Sequence, residues 1–205
     1  MLARCQSKGF SLIELAISMV IIGLLLGTGF AAFSRILSEN KIRDDKMSID
    51  SLKRHLITYA ITHAGFPEPG DLNILPASFS GHITVNPFNK QYQVNIAPSL
   101  TTASTNSDKV IFCGNLKNLI TTPPVAGSAP AICNHSTNSG ETCTDSSLVA
   151  GVILSSGQDY TNNALNADAG TSYQWPGQTI SKGYDDLVRA ISLYDIAYYC
   201  NEELS

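Results

Sequence analysis

The feature that most constrains this chain is a run of nineteen consecutive uncharged positions near its N-terminus. The run extends from Leu15 to Phe33 and follows a short polar leader, MLARCQSKG, which carries Arg4 and Lys8. A helix needs about 20 apolar residues to cross a bilayer. Because basic residues are retained on the cytoplasmic side of a membrane, the leader predicts that the rest of the chain lies outside the cytoplasm.

Three ordinary structures also account for an apolar N-terminal run. A secretory signal peptide has the same charged start, and Gly29-Phe30-Ala31 could serve as its small-residue cleavage site. The carboxylate of Glu14 argues against a signal peptide, whose hydrophobic core lacks charge. A plain membrane anchor stays open, whereas a buried core helix is disfavoured because nineteen uncharged residues exceed what a small domain covers.

A fourth interpretation rests on the segment KGFSLIELAISMVIIGLLLG, residues 8 to 27. It resembles the N-terminus of type IV prepilins and of the pseudopilins of type II secretion systems: a basic leader ending in Gly, then Phe, then a Glu inside an apolar helix. The resemblance implies that a membrane-embedded prepilin peptidase cleaves between Gly9 and Phe10, and that the new amino group of Phe10 is methylated.

The same resemblance implies a location and a set of partners. The processed chain would lie in the bacterial inner membrane as a single-pass protein with its head in the periplasm. The inner-membrane assembly platform would then move it into a filament, in the periplasm or on the cell surface, together with other pilin or pseudopilin subunits.

Glu14 is the residue of this motif whose chemistry demands a partner. An ionised carboxylate in hydrocarbon is costly, so an acid inside a membrane helix indicates a function. After cleavage the nearest positive group is the α-amino group of Phe10, its own or a neighbour's, and pairing offsets the desolvation cost only when subunits are in register. We therefore expect Glu14 and Phe10 to set the register of assembly. The alternative is a carboxylate that snorkels to the cytoplasmic headgroups.

Helical periodicity continues beyond the apolar run. Apolar side chains recur at helical spacings from Leu37 to Ile61, and Gly65 then ends the helix. Between residues 39 and 54 charges of both signs predict either a solvated face or ion pairs between subunits. The predicted organisation is a leader at residues 1–9, a transmembrane or filament-core helix at 10–33, an amphipathic helical spine at 34–64 and a β-rich head at 65–205.

From Gly65 onward, short apolar runs alternate with Pro, Gly, Asn and Ser clusters. Residues 82–98 predict a β-hairpin around an Asn-Pro-Phe-Asn turn, and the segment KVIFCGN around residue 112 predicts a strand. Residues 148–157 predict a strand buried on both faces. Residues 185–199 fit either a short amphipathic helix begun by Asp185 or a last strand. The fold class is therefore α+β, a pilin-like long helix packed on a small antiparallel sheet.

Two segments of the head extend the resemblance. NPFNKQY is similar to the Asp-Pro-Trp-Gly-Asn-Pro-Tyr turn of many pseudopilins, although Asn86, Asn89 and Lys90 depart from that pattern. VILSSGQD, followed later by YDDLVRAIS, resembles the strand and closing segment of minor pilin-like proteins. The resemblance therefore favours a minor subunit, with a major structural pilin and an unpolymerised bitopic membrane binding protein as the alternatives.

The cysteine count agrees with export of the head. The chain has five cysteines: Cys5, Cys113, Cys133, Cys143 and Cys200. Cleavage after Gly9 would remove the first and leave an even set, which in an oxidising compartment indicates two disulfides. The preferred connectivity joins Cys133 to Cys143 and Cys113 to Cys200, while pairing of Cys113 with Cys133 and of Cys143 with Cys200 stays open. Zinc is disfavoured because the spacing of Cys and His does not suit it.

Charge and motifs argue against several function classes. The chain has 17 acidic and 13 basic residues and no basic block, so nonspecific binding of nucleic acid is not expected. Residues 65–205 carry five basic and twelve acidic residues, a net charge of −7, which argues against a DNA-uptake subunit. Since no catalytic motif occurs and each histidine stands without a catalytic partner, we expect no enzyme.

Oxygen-rich loops raise the question of calcium. Asp159, Asp168, Asp185 and Asp186 would supply hard oxygen ligands, and the resemblance adds that some pseudopilins bind calcium in a comparable C-terminal loop. No EF-hand spacing is present, so polar loop residues and helix caps are the alternative. No other cofactor is expected.

Overall fold

The computed structural model describes residues 11–70, 85–122, 129–133, 146–157, 166, 172–173 and 186–200. The chain divides into two compact units, Met1–Lys41 and Ile42–Ser205. The architecture is α+β, as predicted: a long N-terminal helix, α1 (Leu12–His63), and a small antiparallel sheet.

In the first unit, α1 is apolar and its described large apolar side chains are exposed. No helix in the described part of the chain is both long enough and apolar enough to cross a membrane. The membrane span expected at residues 10–33 therefore stays a prediction.

In the second unit, α1 is amphipathic. Its fully buried stripe runs through Asp45, Ile49, Leu52, Leu56 and Ala60, at the spacings of three and four residues that place side chains on one helix face. The helix ends at His63, and the next residue, Ala64, has a positive φ of 50°. The end of the helix that the sequence predicted at Gly65 is thus confirmed to within two residues.

The remaining elements are short. In chain order the strands are β1 (Gln93–Ile96), β2 (Ala131–Cys133), β3 (Ser146–Leu148), β4 (Gly151–Ser155), β5 (Ser172–Tyr173) and β6 (Leu187–Ile191), and the helices after α1 are α2 (Thr102–Thr105), α3 (Lys109–Thr121) and α4 (Tyr194–Ala197). Single 3-10 turns cover Pro98–Leu100 and Tyr198–Cys200.

The central sheet has the order β1-β4-β6, and both pairings are antiparallel. Its middle strand, β4, is buried at all five positions, which agrees with the prediction of a strand covered on both faces. Ile153 packs into the core that α1 closes, whereas Val152 and Leu154 join a second cluster with residues of β2, β5 and β6. The α1 helix therefore covers one face of this sheet.

A second sheet, of order β3-β2-β5, was not expected. Its β2-β3 pairing is antiparallel, but β2 and β5 run parallel, with Ala131 opposite Ser172. In its described residues, the head therefore contains two small sheets rather than one antiparallel sheet.

The strand predicted around residue 112 is wrong, because this segment forms α3. The carboxylate of Asp108 caps the helix: Oδ1 accepts hydrogen bonds from the amides of Val110 at 2.8 Å and Ile111 at 3.2 Å. The buried residues of α3 are Phe112, Cys113, Leu116 and Leu119, a helical rather than an alternating pattern. Capping and packing thus override the β propensity of Val-Ile-Phe.

Two further segments differ from their predictions in detail. The segment predicted as a hairpin forms a tight turn closed by a bridge between Val85 and Gln91, and β1 then pairs with β4 instead of with the preceding residues. Residues 82–84 lie outside the described residues. The C-terminal segment combines both alternatives, because β6 is followed directly by α4. That helix begins at Tyr194, not at Asp185.

Candidate assembly site

Ser11, the second residue of a chain cleaved between Gly9 and Phe10, is the first described residue. Gly9 and Phe10 lie outside the described residues. The carbonyl of Ser11 accepts hydrogen bonds from the amides of Glu14 at 3.0 Å and Leu15 at 3.1 Å, which forms the first turn of α1. A chain cleaved after Gly9 would therefore start two residues before its helix.

Glu14 lies in the first turn of α1, with an exposed side chain. A carboxylate in this position interacts favourably with the positive end of the helix dipole. Within the described residues its carboxylate has no hydrogen-bond or ion-pair partner, while its backbone carbonyl accepts a hydrogen bond from the hydroxyl of Ser18 at 2.8 Å. Pairing of Glu14 with the amino group of Phe10 stays a prediction.

An extensive apolar surface surrounds Glu14. Between residues 12 and 33 of α1, the described large apolar side chains that are at least half exposed are Leu12, Ile13, Leu15, Ile17, Met19, Val20, Ile21, Ile22, Leu24, Leu25, Leu26, Phe30 and Phe33. Soluble monomers rarely expose a contiguous apolar surface of this kind, which marks contact with lipid or with another protein chain.

The second unit contains a buried polar group that sequence reasoning missed. Asp45 is fully buried; its Oδ1 accepts a hydrogen bond from the Tyr92 hydroxyl and its Oδ2 one from the Ser155 hydroxyl, each at 2.6 Å. Burial raises the pKa of the Asp45 carboxyl, and the hydrogen bonds from Ser155 and Tyr92 oppose this rise. The available signal was its spacing, since Asp45 precedes Ile49 by four residues on the buried stripe.

Asn86 connects this group to the turn before β1. Its Nδ2 donates to the hydroxyl of Ser155 at 2.9 Å, and its Oδ1 accepts from the amides of Phe88 at 3.0 Å and Lys90 at 2.8 Å. We call Asp45, Tyr92, Ser155 and Asn86 the Asp45 cluster. It joins α1, the turn and the end of β4.

Part of the charged stretch at residues 39–54 forms ion pairs with residues of the head. Arg189 Nε lies 2.7 Å from Asp50 Oδ1, and Lys53 Nζ lies 2.8 Å from Asp195 Oδ2. These ion pairs join α1 to β6 and to α4. Because these ion pairs form within one chain, they match neither the solvated face nor the ion pairs between subunits that the sequence left open.

A disulfide joins Cys113 of α3 to Cys200, with 5.4 Å between their Cα atoms. This bond is one pair of the preferred connectivity and is incompatible with pairing of Cys113 with Cys133. Cys133 is also disulfide-bonded, while Cys5 and Cys143 lie outside the described residues.

Of the calcium candidates, only Asp186 is described. It is buried, and its Oδ2 accepts a hydrogen bond from Asn166 Nδ2 at 3.0 Å. Asp159, Asp168 and Asp185 lie outside the described residues. In the described ranges, no three Asp, Glu, His or Cys side chains form a group that could hold a metal ion.

Comparison with known proteins identifies one family, the prokaryotic N-terminal methylation motif, which matches residues 4–30. This motif is the signature of type IV pilins and pseudopilins and confirms the resemblance found in the sequence. It implies a membrane-anchored precursor that prepilin peptidase processes, and it is typical of structural subunits. No curated protein and no solved structure matches the chain.

Proposed function

We propose that this chain is a pilin-like structural subunit of a type IV pilus or a type II secretion pseudopilus. Prepilin peptidase cleaves it between Gly9 and Phe10, and the amino group of Phe10 is then methylated. The methylation motif at residues 4–30 carries this proposal.

The exposed apolar part of α1 supports a role in two successive environments. In the precursor these side chains would contact lipid, and in the filament they would contact the corresponding helices of neighbouring subunits. Both environments remove this apolar surface from contact with water, which is favourable. Glu14 is the exception on this surface, and pairing with Phe10 of a neighbouring subunit would offset its desolvation only in the correct register.

The head has features expected of an exported domain. The disulfide between Cys113 and Cys200 suits an oxidising compartment such as the periplasm. We propose a minor subunit because VILSSGQD and YDDLVRAIS resemble segments of minor pilin-like proteins, and we propose no cofactor for this function. The copy number of the chain relative to other subunits in a sheared filament fraction distinguishes a minor subunit from a major one.

The proposal is tested by the intact mass and N-terminal sequence of the protein from membranes of its native host, with and without prepilin peptidase. We expect a peptidase-dependent start at methylated Phe10. A start at Met1 in both strains would identify a permanent anchor that is never polymerised. A start after Ala31 would identify a freely secreted domain, and both outcomes would contradict the proposal.

A second experiment separates processing from assembly. We expect Glu14→Gln to be cleaved normally but recovered in the sheared filament fraction at less than about a tenth of the wild-type amount, since about 1.4 kcal/mol of lost pairing is tenfold in an equilibrium constant. The matched control is Glu39→Gln, which removes an exposed acid of the same helix that pairs locally with Arg35. Equal recovery of both variants would remove the role given to Glu14.

A further inference from the structure

The half of α1 that packs on the head leaves one side of the helix uncovered. Arg43, Met47 and Arg54 are spaced by four and seven residues, so they lie on one face, and Lys46 lies beside them. All four residues are exposed, and Met47 is 57% exposed although its side chain is apolar. At about 100° per residue this face points away from the buried stripe of α1. We call these four residues the basic face.

The cations of the basic face are not neutralised within the described part of the chain. Arg43, Lys46 and Arg54 form no ion pair with any described residue. Asp44 is an exposed acid next to them, and it also forms no ion pair there. Asp50 is the other acid of residues 42–63 on this side, and its ion pair with β6 neutralises it. The basic face therefore carries a net positive charge.

The rest of the head has the opposite charge. Residues 65–205 carry twelve acidic and five basic residues, a net charge of −7, and Glu68 is one of the exposed acids. Two heads therefore repel each other, and so do two basic faces, whereas a head and a basic face attract each other. Of the three ways in which two copies can meet through these surfaces, only this one is electrostatically favourable.

A contact between a head and a basic face joins two different surfaces. Such a heterologous contact does not close on itself like a twofold dimer, and it can repeat from copy to copy along a helical array. Met47 gives the face an apolar group that the contact would remove from water. Single exposed ion pairs contribute little affinity, but complementary charge selects the partner and its orientation.

We propose that the basic face of α1 is the docking surface for the acidic head of a second copy of this chain. The inference rests on the proposed function, because in the proposed assembly the apolar part of α1 supplies most of the affinity. The charged contact then selects the neighbour and its orientation. Two adjacent copies are enough for this contact, so it suits a minor subunit as well as a major one.

Zero-length carbodiimide cross-linking of the full chain in detergent tests the contact. The reagent joins an amine directly to a carboxylate, and Lys46 is the amine of the basic face. In a mixture of unlabelled and isotope-labelled chains, mass spectrometry distinguishes links between two copies from links within one. We expect Lys46 to be linked to acidic residues of 65–205 in another copy. The yield should fall several-fold from about 0.05 M to about 0.5 M salt, because salt screens exposed charges.

Charge reversal at exposed positions gives a matched pair of variants. Arg43→Glu with Arg54→Glu should lower the yield of links between copies at Lys46 by about tenfold, since attractive charge pairs become repulsive. Lys90→Glu with Lys117→Glu makes the same change in net charge at exposed cations of the head. Because it makes the head more acidic, this control should keep the yield at or above the wild-type value.

Three results would overturn the docking surface. Lys46 without a link to another copy at low salt would show a solvated face. Links from Lys46 to α1 of another copy would show a different contact, and equal yields in the two double variants would show that the charge of the basic face has no part in it. Processing is decided separately: a chain that starts at methylated Phe10 but is not linked at Lys46 would keep the proposed function and lose only this surface.

Discussion

At the scale of single residues, close approach decides what a position tolerates. Gly65 follows the end of α1 and lies against α2: a Cβ atom built on it would be 2.6 Å from Thr105 Oγ1 and 2.9 Å from the Cα and N atoms of Thr102. Backbone atoms cannot move aside as a flexible side chain does. The glycine that the sequence marks as a helix end is thus also required by packing.

Gly65→Ala should lower the free energy of unfolding by about 1 to 3 kcal/mol, the usual cost of overpacking. The matched control is Gly114→Ala in α3, where a Cβ atom would meet nothing within 4 Å. That substitution should raise stability by up to about 1 kcal/mol through helix propensity. Urea unfolding of both variants in detergent checks the pair, and equal changes would contradict the packing argument.

At the scale of elements, α3 depends on the residue that caps its N-terminus, Asp108. Asp108 satisfies two amides that the helix itself leaves without acceptors. Asp108→Ala should therefore cost about 1 kcal/mol of stability, whereas Asp108→Asn should retain most of the cap. Asp44→Ala, at an exposed position inside α1, is the control and should stay within about 0.5 kcal/mol. Thermal unfolding compares the three, and an Asp108→Ala variant as stable as Asp44→Ala would contradict the cap.

The elements also show what sequence could predict. The long helix α1 was predictable because its periodicity extends over many turns, and the buried β4 because five consecutive apolar or small residues have no other place in a small head. The helix α3 was missed because Val-Ile-Phe favours a strand locally, although Asp108 and the spacing from Phe112 to Leu119 pointed to a helix. The parallel pairing of the two-residue β5 has no local signal.

The candidate functional residues also divide into some that sequence could predict and some that it could not. Gly9, Phe10 and Glu14 lie within one short motif, so sequence alone could predict their roles, which stay predictions. The Asp45 cluster joins residues separated by 47 and 110 positions, and no local pattern pairs an acid with a distant tyrosine and serine. Contacts of this range follow only from the fold.

At the scale of the whole molecule, the disulfide between Cys113 and Cys200 closes a long loop, because the two residues are 87 positions apart. The double variant Cys113→Ser, Cys200→Ser should lose about 2 to 5 kcal/mol of stability, since an open loop gains conformational entropy when it unfolds. The measurement is the urea midpoint of the full chain. A matched control is Ser104→Ala with Ser192→Ala, two small polar substitutions outside the bond. A double cysteine variant as stable as this control would show that contacts alone hold the C-terminal segment.

The last described segment, residues 186–200, has a consequence for the order of events during synthesis. It pairs β6 with the middle strand, bonds Arg189 to Asp50 across 139 positions and carries the cysteine that closes the loop. A chain that is synthesised from its N-terminus therefore cannot complete this core until residues 187–200 have been made. Contacts of the last described segment thus complete the head, and the segments made earlier lack them until it is present.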